Sequence, residues 1–161
     1  MSSVIQQDIS SLTEILNYKN ENVVYRFQKL YAVTEEEAEE LFTETKKFIY
    51  LAKFGDVFIP EDLTMIDEMW HNFILFTKDY DFFCKKFLGK FLHHVPTSMQ
   101  EEQSSALLDK EEATKAREAY LNRIEEMISL TYDQLGEETA VRWFSEYPER
   151  YSAERIKILR K

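Results

Sequence analysis

One cysteine, three glycines and three prolines are all that 161 residues contain of these types. A lone cysteine closes no internal disulfide, so no cross-linked framework stands in for a core. Apolar stretches fall far short of the roughly 20 residues that a membrane span needs. The opening MSSVIQQDISS has neither a basic start nor an uninterrupted apolar run, so no signal peptide is expected and a reducing cytoplasm is the expected compartment. Positive charge is scarce too: 20 Lys and Arg face 30 Asp and Glu, a formal net charge of −10. Such a surface repels phosphate backbones, which makes nucleic acid an unlikely partner. It suits a basic protein partner, or a mimic of nucleic acid, or simply solubility.

What the chain does have is apolar mass. Hydrophobic residues make up 44% of it, with twelve Phe and nine Tyr, enough for one compact domain over residues 1–161. The few glycines and prolines act as punctuation. Gly55, Gly89 and Gly136 each follow a helix-patterned segment, and Pro60 precedes the acidic pair Glu61 and Asp62 at a helix start. Val4, Ile5, Ile9, Leu12, Ile15 and Leu16 recur at helical spacing. A second helix is expected over about 22–32 and a third from Thr34, whose TEEE start forms a capping box with Glu37. A fourth begins near Glu61, a fifth covers about 78–88, and the KFLHHVP segment is expected to be extended because Pro96 biases Val95 away from helix. Polar residues 97–108 read as a mobile loop. A long helix follows over about 109–135, with Ala113, Ala116, Tyr120, Ile124 and Met127 on its buried side. Short helices near 137–144 and 153–159 complete an all-α, single-domain irregular bundle of about six to eight helices.

Every histidine and the cysteine fall within Trp70–His94, WHNFILFTKDYDFFCKKFLGKFLHH. Asp67 and His71, four apart, project from one face of the fourth helix. The surrounding Met69, Trp70, Phe73, Ile74 and Phe76 imply deep burial, where such a pair must bond or share a cation. Cys84 lies four residues after Tyr80 on the next helix. His93 and His94 follow Gly89, and in an extended segment only one of two neighbours points into a shared centre. One thiolate, two imidazoles and a carboxylate satisfy a tetrahedral zinc or ferrous ion, though no CxxC or HExxH is present. Two other readings stand beside this one: an inert hydrogen-bonded core, with Cys84 as a small buried hydrophobe, and Cys84 as a nucleophile with a histidine base.

The stretch IDEMWHNFILFTKDYDFFCKKFLGKFLHHVP resembles the hallmark segment of the glycine-rich domain-containing protein family in its bacterial, stand-alone form. The matching positions are Asp67, Trp70, His71, Tyr80, Cys84, Gly89 and His94, with His93 and Pro96 completing a His-His-Val-Pro ending. A weaker likeness runs from Leu130 to Tyr151. With three glycines in all, the segment that names the family is missing. The resemblance implies a helical domain without a settled activity. It favours a metal set of Asp67, His71, Cys84 and His94 (His93 as the alternative), holding zinc or iron, with Trp70 and Tyr80 packed around it. Three functions are compatible: a metal-centred module that binds another protein through the acidic face of Glu35, Glu36, Glu39 and Glu40, a metal-dependent enzyme with an open coordination position, and a metal-free acidic binding protein.

Overall fold

A computed structural model describes residues 12–96 and 98–161. Val4, Ile5 and Ile9 therefore lie outside the described residues, while 12–17 are helical and Ile15 is fully buried. Asn20 then caps α1 (Glu21–Leu30), its side chain accepting from the Val23 amide and donating to Asp79. Val23, Val24 and Phe27 form the inner face of that helix.

Thr34 opens α2 (Glu35–Tyr50), and both halves of its capping box with Glu37 are made. A 3-10 turn (Leu51–Phe54) runs on to Gly55, and a second (Glu61–Leu63) leads into α3 (Thr64–Ile74). The next helix, α4 (Thr77–Leu88), ends at Gly89, whose φ of 75° is a left-handed cap that suits a residue without Cβ. Phe73 on α3 is an aromatic hub, with ring centroids 5.2 Å from Phe42, 5.2 Å from Tyr80 and 5.3 Å from Phe83. Edge-on contacts of this kind tie α2, α3 and α4 into one core. Buried Asn72 adds a polar tie to α1, donating to the Val23 carbonyl and accepting from Arg26.

Two expectations are corrected here. Segment 97–108, read as a loop, contains helix α5 (Met99–Ala106), started by a capping box between Ser98 and Glu101. None of its residues is buried, so no apolar periodicity announced it. The long helix α6 (Lys110–Leu135) is present with Asp109 as its cap, yet Ala113 and Ala116 are exposed and only Met127 and Thr131 are fully inside. Its first half stands away from the core.

Beyond Gly136, α7 (Glu137–Val141) passes through a π-helical turn (Arg142–Glu146) into α8 (Tyr147–Arg150), and α9 (Ala153–Leu159) closes the chain. The wider turn carries Trp143 and Arg142 to Glu44 of α2, at 2.8 and 2.7 Å. Glu44 is buried, and these two partners with Lys47 satisfy it. Arg150 and Tyr147 hold Glu40 in the same way, so one member of the acidic face proposed for a partner is tied down internally. The C-terminus pairs back along α1, Ala32 donating to Leu159 and Lys161 to Leu30. Among the described residues the only β feature is an isolated bridge of Tyr31 with Arg160, and no helix is long and apolar enough to cross a membrane.

Candidate metal centre

Helix α3 projects Asp67 and His71 from one face, one turn apart, as the spacing requires. The segment after Gly89, which has no regular secondary structure, brings His94 to the same point. His94 Nε2 lies 2.6 Å from Asp67 Oδ1, and His71 Nε2 lies 3.7 Å from the same oxygen. The two imidazoles are 4.2 Å apart between centroids, and Trp70 packs on His94 at 4.3 Å. Ligand atoms of Asp67, His71 and His94 all lie within 4.8 Å of one another. A tetrahedral zinc with bonds of about 2.0–2.2 Å holds its ligands about 3.4 Å apart.

The burial expected for the pair is corrected. Side chains of Asp67 and His71 remain 29% and 44% exposed, against 13% for His94. They stand at the wall of a cleft of about 480 Å³, not inside the core. The reason is that α3 turns its Met69 and Phe73 face inward, and Asp67 and His71 are not among its buried residues.

Cys84 does not join them. It is fully buried on α4, one turn from Tyr80, and stays outside the Asp67, His71 and His94 group. Burial pushes its thiol pKa up, offset in part by contacts with the Leu92 backbone and the Tyr80 hydroxyl. A buried neutral thiol is neither a nucleophile nor a ready ligand. Tyr80, also buried, accepts from the Trp70 indole at 3.0 Å and donates to the Leu92 carbonyl at 2.5 Å. Burial raises its pKa far above the ordinary phenol value, so the hydroxyl stays a donor. Tyr80 thus holds the carbonyl of Leu92, two residues before His94. His93 is exposed, meets Phe91 edge-on at 4.8 Å and reaches the cleft from its rim.

The opposite wall holds residues that the sequence reading missed. Phe58, from the segment before α3, and Arg123, from α6, line the cleft. The Arg123 guanidinium sits 3.9 Å from the Phe58 ring centroid. Tyr120, one turn earlier on α6, donates no such charge but accepts the Glu61 amide at 3.0 Å, which fixes α6 against the entry to α3. A single arginine in a charged helix carries no local signal of this kind.

A model of the UCP032817-like family matches residues 12–126. The chain belongs to that family. This overturns the likeness to the glycine-rich domain-containing proteins, because the matching description is a different one and names no activity. The UCP032817-like segment contains both walls of the cleft, from Val57 to Arg123, and leaves the Leu130–Tyr151 tail outside. No curated protein and no solved structure gives a significant match.

Proposed function

We propose that this UCP032817-like chain is a divalent-metal protein whose Asp67, His71 and His94 hold zinc or ferrous iron at the wall of an open cleft. The observation that carries the reading is the convergence of two imidazoles and one carboxylate within 4.8 Å beside a solvent-reached cavity. Two histidines and a carboxylate leave coordination positions free, the donor set of hydrolytic zinc and of non-haem iron centres. Free positions facing a cleft favour a metal-dependent enzyme over a closed structural ion. In such a site the metal polarises a bound group or activates water, and the apolar walls orient the rest of the ligand.

Elemental analysis of tag-free protein, reconstituted anaerobically with zinc or ferrous iron and then desalted, tests this. About one equivalent is expected in the wild type and under a tenth in Asp67→Ala. Melting temperature should rise with metal in the wild type alone. A wild type that retains under a tenth of an equivalent, with unmoved melting, overturns the reading and leaves Asp67 and His94 as a hydrogen-bonded pair.

A further inference from the structure

Arg123 is an unspent cation in a chain with a net charge of −10. Asp56 and Glu126 line the neighbouring hollow with it, yet neither closes to an ion pair, and among the described residues Arg123 makes no hydrogen bond. Its guanidinium is instead seated on the Phe58 ring at 3.9 Å, facing the cleft that holds Asp67, His71 and His94. Stacking orients the guanidinium plane without using its N–H donors, which stay available for a planar anion. Beside these groups and the rim residue His93, the cleft is lined by apolar Val57, Ile59, Trp70, Val95 and Pro96. About 480 Å³ suits a small organic molecule and is too small for a polymer's charged backbone.

We infer that the cleft binds a small carboxylic acid with an apolar body, its carboxylate taken by Arg123. A carboxylate matches the guanidinium fork with two parallel hydrogen bonds. A single negative charge also loses less hydration against apolar walls than a doubly charged phosphate. The assignment rests on the reading of this cleft as the binding site, but its anchor, Arg123, lies apart from the three metal-facing donors.

Benzoate and its neutral isostere benzamide are suitable probes, followed through the Trp70 indole proton by NMR titration. Phenyl phosphate is a third. Each is titrated into metal-free protein and, in parallel, into protein loaded with one equivalent of zinc. In metal-free wild type, benzoate should bind at least about tenfold tighter than benzamide and tighter than phenyl phosphate. In Arg123→Gln that discrimination should fall to within about twofold, and urea midpoints should match because Arg123 is exposed. Equal binding of benzoate and benzamide by metal-free wild type, or discrimination retained in Arg123→Gln, overturns the assignment. Tighter binding of phenyl phosphate overturns the carboxylate in favour of a phosphate ester. Failure of zinc to load leaves the metal-free comparison intact, so the two readings fail separately.

Discussion

Tyr80→Phe removes one oxygen from a buried ring and leaves its packing in place. Phe73 and Phe91 meet that ring edge-on at 5.2 and 5.3 Å, contacts that a phenyl group keeps. What disappears is the hydroxyl that accepts from Trp70 at 3.0 Å and donates to Leu92 at 2.5 Å. Each partner left unpaired away from water costs about 1–3 kcal/mol. The Trp70 indole is buried and carries the full penalty, whereas Leu92 is half-buried and its carbonyl can turn to solvent. The expected loss is about 2–4 kcal/mol, read by urea titration with an unchanged slope. Leu92 lies two residues from His94, so release of its carbonyl also loosens the imidazole. Zinc affinity, measured by chelator competition, should weaken by about ten- to a hundredfold, the usual effect of losing a group that orients a ligand. A stability change under about 0.5 kcal/mol would refute the reasoning, since both partners would then have found other bonds. Lost stability with unaltered zinc affinity would show that Leu92 does not aim His94.

Cys84→Ala should keep zinc affinity within about tenfold of wild type, because the buried thiol lies outside the group of donors; a loss of a thousandfold would make it a ligand after all. Glu44→Gln withdraws the buried negative charge that half-buried Arg142 and the Trp143 indole share, and should cost about 2–3 kcal/mol by urea titration, with under 0.5 kcal/mol counting against the triad. Burial lowers the pKa of Lys46 to about 8, with the nearby Lys19 charge adding to the effect, while its ammonium donates to the carbonyls of Leu16 and Tyr18. Between pH 8 and 10 the unfolded chain then holds more protons at this site, so unfolding free energy should rise with pH, by at most about 1.4 kcal/mol per unit. Above about pH 10 the raised pKa values of Tyr80 and Tyr147 reverse the slope, because the unfolded phenols ionise first. Lys46→Met should flatten the rise, and a rise that persists would assign it to another group.

The helices were legible in the sequence because the signals that make them are local. Thr34 with Glu37, Asp109 ahead of α6 and Gly89 after α4 act within one or two turns. Helix α5 escaped because its capping box, Ser98 with Glu101, precedes a segment with no buried face, and apolar periodicity is blind to such a helix. The outward-standing first half of α6 escaped for the converse reason: its alanines and tyrosine have helical spacing whether or not anything packs on them.

Residue order alone determined that Asp67 and His71 share a face, since a 3.6-residue turn admits no other result. It also determined that donors crowd into one stretch of chain. Only the tertiary structure decided which of them meet. The closest contact, His94 to Asp67, spans 27 residues and depends on the turn at Gly89 and the hold of Tyr80 on Leu92. Helical phase put Cys84 on the inner side of α4 with Tyr80, and that same burial withdrew its sulfur from the donors beyond. Arg123 reached the opposite wall through the docking of α6, held by Tyr120 against Glu61. Local spacing fixes directions within a helix, whereas the distance between helices is set by what packs between them.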